Sequence, residues 1–198
     1  MNKSLLIPLT ACAVFASGSA HAGALGLTGS AGIHQQRAYY YATEESRNAG
    51  IDSQMRPNYG VGLEAIVGDK DEKVQGILRL GFLQEEPTTE PDTGGIENAK
   101  YPEAHLEDPR RVGTLGLGVQ WGVLGDPSGT QMTITSVVGT GFITTDNTEF
   151  LLVEAGVGGT HNLTSSLQAT ATIMASMRHR KHMSFGPNVY AGLRYMFD

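Results

Sequence analysis

Eight segments of the chain alternate between apolar and polar or small residues with a period of two, and this alternation constrains the fold more than any other feature. Successive side chains of a β-strand point to opposite faces, so the pattern predicts strands that each have one apolar face. In the last segment, "NVYAGLRYMFD", Val189, Leu193 and Tyr195 alternate with Asn188, Gly192 and other residues. The predicted strands cover residues 24–34, 59–68, 73–83, 111–122, 130–143, 149–160, 163–177 and 188–198. The Thr- and Val-rich fifth segment leaves open which of its faces is the apolar one.

The connections between these segments alternate in length. Long polar stretches follow the first and third segments (35–58 and the acidic 84–110), whereas "DKDE", "VLGDPSG" and a tight turn at His161-Asn162 follow the second, fourth and sixth. An even strand number with alternating long and short connections is typical of transmembrane barrels, whose short turns face the periplasm and whose long loops face outside. The sequence predicts an all-β, eight-stranded antiparallel up-and-down transmembrane β-barrel, with both termini periplasmic and residues 23–198 as one domain.

A soluble, lipocalin-like barrel is the alternative, because alternation alone does not say which face is inside. The non-apolar faces consist mostly of Gly, Thr, Ser and Gln with a few charges. Small polar side chains suit the narrow lumen of an eight-stranded barrel, and strands of about 10 residues suit a tilted crossing of the hydrocarbon layer. Both features favour the membrane barrel.

The N-terminal segment has the features of an export signal. Lys3 precedes an apolar stretch at 5–16, and Ala20-His21-Ala22 fits the small-residue cleavage pattern, so residues 1–22 are predicted to be a signal peptide. A lipoprotein signal ending at Cys12 is the alternative. Cleavage after Ala22 removes Cys12, the only cysteine, and changes the formal charge from −6 to −7. We expect no thiol chemistry, no cofactor or metal and no nucleic-acid partner.

The end of the chain resembles a known family signature. "AGLRYMF" resembles the C-terminal signature of bacterial outer-membrane barrels, with Gly192, Tyr195 and Phe197 in the matching positions and Asp198 after the usual terminal aromatic. This resemblance implies the barrel-assembly machinery as a partner. The whole chain is similar in plan to the OmpA-like and OmpW-like eight-stranded barrels, without a motif that selects one member.

Four charged residues fall on the predicted lumen faces: Glu64, Arg79, Glu154 and Arg194. Glu64 and Arg79 are nearly symmetric about the "DKDE" turn, so we expect them to face each other. Glu154 and Arg194, on the sixth and eighth segments, are expected to pair across the lumen. The four charges form either a sealed polar core, which we favour because small barrel interiors are usually filled, or a salt-bridge gate.

The stretch "MRHRKHMSFG" carries a second candidate site. Arg178, Arg180 and Lys181 are placed to contact phosphates of lipopolysaccharide, or they form a solvated loop that balances the acidic stretch 84–110. His182 and Ser184 have the His-x-Ser spacing of lipid A deacylase barrels, but Phe185 replaces the Asn of that motif and no acid follows before Asp198.

These observations predict a non-enzymatic outer-membrane barrel with a structural or surface-interaction role through its long extracellular loops. Outer-membrane lipid and lipopolysaccharide are the expected surroundings. A narrow channel for small or apolar solutes is the second hypothesis, and a lipid A-modifying enzyme is the third. The acidic loop 84–110 has no metal-site spacing and is expected to be solvated.

Overall fold

The computed structural model describes residues 22–37, 53–69, 72–86, 109–144, 148–179 and 183–197. These residues form eight antiparallel strands that pair in chain order, and the last strand pairs with the first to close a barrel. The strands are β1 Ala22–Arg37, β2 Ser53–Val67, β3 Val74–Glu85, β4 Arg110–Gly125, β5 Thr130–Ile143, β6 Thr148–Asn162, β7 Leu167–His179 and β8 Met183–Met196. The predicted fold, an eight-stranded closed antiparallel barrel, is confirmed.

The two ends of the barrel differ. The connections 68–73, 126–129 and 163–166 lie at the end where β1 begins and β8 ends, which we call the turn end. The connections 38–52, 86–109, 144–147 and 180–182 lie at the opposite end, the loop end. Only two of these four are long, so the predicted alternation of long and short connections holds for the first half of the chain. Tyr39, Tyr40, Tyr41 and most of the acidic stretch 84–110 lie outside the described residues.

The start of β7 differs from the prediction. The sequence predicts a strand from residue 163, but residues 163–166 form a turn. The Thr164 hydroxyl oxygen accepts hydrogen bonds from the backbone N–H groups of Ser166 and Leu167 at 3.2 and 3.0 Å. This local bonding competes with the sheet, as expected for Thr near a turn. Thr130–Ile143 has the predicted bounds, whereas β1, β2 and β8 extend further toward the loop end than predicted.

The β4–β5 turn is ordered by one aspartate. Asp126 Oδ1 accepts hydrogen bonds from the backbone N–H and the hydroxyl of Ser128, at 2.9 and 2.8 Å. These two bonds, the backbone bond first, hold the pKa of the exposed Asp126 carboxyl below its usual range. The turn is also joined to the end of β6, since the Asn162 side chain donates to the Pro127 carbonyl at 3.0 Å.

The apolar faces of the strands point away from the barrel axis. Leu27, Phe82 and Val157 are 60%, 62% and 57% exposed, whereas most of the buried side chains, which point inward, are polar. The sequence did not show which face of β5 points inward. In the structure the inward face carries Gln131, Thr133, Thr135 and Val137, which are all buried. No helix among the described residues is long and apolar enough to cross a membrane.

The strands are staggered around the barrel. From Gly32 on β1, pairing through β2 and β3 leads to Arg110 on β4, whereas pairing the other way, through β8, β7, β6 and β5, leads to Gln120. The two routes arrive ten residues apart on the same strand, which is the stagger of the closed sheet. This stagger decides which inward residues lie at the same height.

Close contacts inside the staggered barrel make Gly118 intolerant of a side chain. A Cβ atom at Gly118 would lie 1.9 Å from the Ser136 carbonyl oxygen, whereas one at Gly113 on the same strand would have no atom within 4 Å. We expect Gly118→Ala to destabilise the barrel by about 1–3 kcal/mol and Gly113→Ala to leave it unchanged. Urea titration followed by gel mobility of unheated samples measures both. Equal stability of the two variants would contradict the observed packing.

Candidate functional site: the polar interior of the barrel

The inward positions carry a dense set of buried polar side chains. Glu64, Arg79, Glu154 and Arg194, which the sequence placed on the lumen faces, are all at most 5% exposed. Buried charges are costly unless they are paired and hydrogen-bonded. The geometry of their partners therefore defines what the interior does.

Glu64 is the centre of the network at mid-height. Its Oε1 atom accepts from Arg79 Nε at 2.8 Å, and its Oε2 atom accepts from Arg194 Nη2 and Nε at 2.9 and 3.2 Å. Arg79 lies opposite Glu64 in the β2–β3 pairing, where the sequence predicted it. The Glu64 carboxylate thus forms ion pairs with two guanidinium groups.

Glu154 forms the second half of the network. Its Oε2 atom lies 3.3 Å from Arg79 Nη1, and its Oε1 atom accepts from the Tyr190 hydroxyl at 2.8 Å. The Arg79 guanidinium carbon lies 4.3 Å from the centre of the Tyr190 ring. Arg79 therefore bridges the two carboxylates, and the two acids and two arginines balance in charge.

Arg194 does not pair with Glu154, which corrects the predicted partner. In the strand register, Glu154 of β6 lies opposite Ser176 of β7, which lies opposite Gly186 of β8. Arg194 is therefore eight residues along β8 from the row of Glu154. Glu64 and Arg194 instead flank Gly26 of β1 in one row. A Cβ at Gly26 would lie 2.7 Å from Arg194 Cγ, so glycine there leaves the path between them open.

Amide side chains lie toward the turn end of the network. Arg194 Nη2 donates to Gln120 Oε1 at 3.0 Å, and its Nη1 atom lies 3.5 Å from Gln168 Oε1. A cavity of about 20 Å³, room for about one water molecule, is lined by these glutamines, Gln75, Gln131 and Pro127 of the β4–β5 turn. Sequence alternation placed Tyr190 and Gln120 inward but did not identify them as partners of charged groups, because their contacts cross the lumen.

Arg178 lies inside the barrel, which corrects its predicted contact with lipopolysaccharide. It is 6% exposed, its Nη1 atom pairs with Glu85 Oε1, and its guanidinium carbon lies 5.1 Å from the centre of the Phe150 ring. The reason is parity: Thr170 and Thr172 face inward on β7, and the alternation continues to Arg178. Arg180 and Lys181 lie outside the described residues.

Ser184 contacts a different histidine from the one that the His-x-Ser pattern predicts. Its hydroxyl oxygen lies 2.6 Å from Nε2 of His34, which is 3% exposed. His34 Nδ1 has no hydrogen-bond partner in the described part of the chain, whereas a catalytic triad orients its histidine through an acid at that atom. The pair thus links β1 to β8, and no third member of a triad contacts it among the residues that the structure describes. His182 is not among the described residues.

Two of the C-terminal signature residues lie on opposite faces of β8, and Phe197 follows the last residue of the strand. Gly192 faces inward, and a Cβ there would lie 2.2 Å from the Leu27 carbonyl oxygen. Tyr195 and Phe197 face outward, 56% and 40% exposed, with ring centres 5.4 Å apart in an edge-to-face arrangement. No group of three or more His, Cys, Asp or Glu side chains that could hold a metal ion occurs among the described residues.

Comparison with known proteins identifies the fold. No family model and no curated protein matches the sequence. Neisserial surface protein A has a similar structure, with a TM-score of 0.57 and 8% identity over 88% of this chain and 97% of that one. Ail, the attachment invasion locus protein of Yersinia pestis, gives a TM-score of 0.48 and 10% identity, with coverage of 89% and 100%. The N-terminal β-barrel domain of Pseudomonas aeruginosa OprF gives 0.45 and 10%, with coverage of 88% and 98%. At such identities the similarity concerns the fold alone: the chain resembles the small eight-stranded outer-membrane β-barrels.

Because two arginines share Glu64, its removal is expected to cost more than that of a surface acid. Glu64→Gln leaves two buried guanidinium groups without their common counter-charge, and we expect a loss of about 3–5 kcal/mol in the free energy of unfolding. Glu149→Gln, at an exposed position of β6, is the matched control and is expected to change little. Urea unfolding in lipid vesicles, followed by Trp121 fluorescence, measures both. A loss below 1 kcal/mol for Glu64→Gln would contradict the network.

Proposed function

We propose that this protein is a non-enzymatic outer-membrane barrel that carries the connections 38–52 and 86–109 at the cell surface, in a structural or surface-interaction role. The main support for this proposal is that buried side chains fill the interior of the barrel at mid-height. Met174, Glu154 and Arg194 are 0%, 1% and 2% exposed, and they come from three different strands. A lumen closed in this way leaves the exterior and the loop end as the surfaces that are available for function.

Placement in a membrane is supported by the outward face. Every strand carries at least one large apolar side chain there that is half exposed or more, for example Leu27 on β1, Trp121 on β4 and Tyr195 on β8. An apolar surface that surrounds a monomer is costly in water but matches the apolar band of an outer-membrane barrel. Lipid and lipopolysaccharide are the proposed surroundings, with Arg180 and Lys181 retained as proposed phosphate contacts.

Export and assembly complete the proposal. Cleavage of the signal peptide 1–22 would remove Ala22, the first residue of β1, and leave the rest of the strand in place. Gly192, Tyr195 and Phe197 would be recognised by the barrel-assembly machinery. With the turn end in the periplasm, both termini are periplasmic and the loop end is extracellular.

This orientation predicts which lysines a protease reaches in intact cells. Lys100 lies in the connection 86–109 at the loop end, and Lys73 lies in the β2–β3 connection at the turn end. We expect trypsin added to intact cells to cleave at Lys100 and to spare Lys73, with both cleaved after the outer membrane is permeabilised. The protein should fractionate with the outer membrane and migrate faster in gels when unheated. Cleavage at Lys73 in intact cells, or a soluble protein, would overturn the placement.

A narrow channel is the second candidate, because ion pairs that cross the lumen could open and close a pore. The sealed core predicts no conductance steps in planar bilayers for the wild type. It predicts none for Arg79→Ala either, since Tyr190, Arg194 and Met174 still fill the mid-height lumen. Lys73→Ala, in the exposed β2–β3 turn, is the control for reconstitution. Steps in the wild type would contradict the sealed core, and steps only in Arg79→Ala would identify Arg79 as the barrier of a gated channel.

A further inference from the structure

A groove crosses the outer wall of the barrel. Its volume is about 1010 Å³, which is at the upper end of the range for ligand-binding pockets. Outward-facing side chains line most of it, among them Tyr59, Val61 and Phe82, which are all exposed. The groove is therefore open to the outside of the barrel and is separate from the polar lumen.

The strand register gives the course of the groove. One row of residues that lie opposite one another on six neighbouring strands lines it: Ala191, Gly29, Val61, Phe82, Gly113 and Phe142. Ala191 and Gly29 lie near the middle of β8 and β1, whereas Gly113 and Phe142 lie close to the loop ends of β4 and β5. The groove therefore descends obliquely from the loop end at β4 and β5 to mid-height at β8 and β1.

Side-chain size explains why a groove forms along this course. Gly29, Ala31 and Ala191 give it a floor of small residues at its lower end. The next outward row toward the turn end consists of leucines on five neighbouring strands: Leu193, Leu27, Leu63, Leu80 and Leu115. A hydrocarbon chain that lies in the groove would contact both the floor and this leucine ridge, and it would gain more dispersion contacts than on a flat wall.

The groove becomes polar toward the loop end. The neighbouring outward row on that side begins with the apolar Val189 and Ala31 on β8 and β1. It continues through residues with polar side chains on β2, β3, β4 and β5: Tyr59, Gln84, Arg111 and Thr144. A lipid has the same distribution of polarity, since its charged headgroup lies at the membrane surface and its acyl chains extend toward the middle of the membrane.

Arg111 supplies a positive charge at the polar end. It is exposed, and its backbone carbonyl accepts from the N–H and the hydroxyl of Thr144 at 2.9 and 3.1 Å. Its guanidinium group makes no hydrogen bond or ion pair in the part of the chain that the structure describes. Glu86 lies at the same rim, but its Oε1 atom accepts from Tyr59 and Gln84, on the β2–β3 side of Arg111.

We propose that this groove binds the lipid A part of lipopolysaccharide, with a phosphate on Arg111 and an acyl chain along the floor toward Ala191. Arginine binds phosphate through charge-assisted hydrogen bonds, and each methylene group that the groove covers adds apolar burial. The choice of lipid A rests on the proposed function, because the loop end then faces the leaflet that contains lipopolysaccharide.

The first test is native mass spectrometry of the purified protein in detergent micelles, titrated with lipid A. We expect saturable binding of one lipid A molecule. Arg111→Gln should weaken this binding about fivefold, the effect of one basic side chain at a charged lipid surface. Lys73→Gln, which removes the same charge at the turn end, is the control and should bind like the wild type. Lipid A without its phosphates should bind equally to the wild type and to Arg111→Gln.

A second pair of variants tests the groove itself. Ala191→Leu fills the floor and should weaken binding at least as much as Arg111→Gln. Ala171→Leu is the matched control, because Ala171 is exposed, lies opposite Ala191 in the β7–β8 pairing and does not line the groove. Gel mobility of unheated samples checks that both variants are folded.

Three results would overturn the proposal. Equal loss in Ala191→Leu and Ala171→Leu would show general coating of the wall by lipid. Equal binding of phosphatidylglycerol and lipid A to the wild type would show attraction of any anionic lipid. A protein dimer that lipid A does not displace would identify a second copy of the chain as the occupant. These measurements on the purified protein do not depend on its orientation in cells, so they can fail while the trypsin experiment succeeds, and the reverse.

Discussion

Closure of the sheet is the constraint on which the rest of the structure depends. Every strand must pair with two neighbours, and β8 meets β1 with a stagger of ten residues around the circuit. The stagger fixes which inward side chains share a height. It places Glu64 and Arg194 on either side of Gly26, so that one carboxylate neutralises arginines from strands far apart in sequence. Closure therefore determines the ion network as well as the shape.

Much of the fold follows from alternation along the sequence. Each strand shows its two faces in its own residues, and the β2–β3 turn is short enough to predict that Glu64 faces Arg79. The same alternation indicates that Arg178 faces inward like Thr170 and Thr172. The predicted contact of Arg178 with lipopolysaccharide was wrong because the strand was expected to end before the basic stretch. The alternation of side-chain direction depends only on position along one strand, so it can be read from the sequence as far as the strand extends.

Contacts across the lumen could not be predicted in this way. The partner of Arg194 depends on the stagger, which is a property of all eight pairings together, and not on the separation of residues along the chain. Ser184 illustrates the same limit, because its partner His34 comes from the other end of the sequence and only closure brings β8 beside β1. For β5, Thr and Val suit both faces, so its orientation follows from its neighbours.

The distribution of charge along the lumen connects the structure with function. At mid-height, two acids and two arginines satisfy one another, and such a balanced, buried set has little affinity left for a solute. At the turn end, amides enclose space for about one water molecule. At the loop end, the buried pair of Arg178 and Glu85 lies against Phe150, and His34 and Ser184 join β1 to β8. Because the charged groups at mid-height bind one another, a surface-interaction role would depend on the outer apolar face and on the two long connections at the loop end.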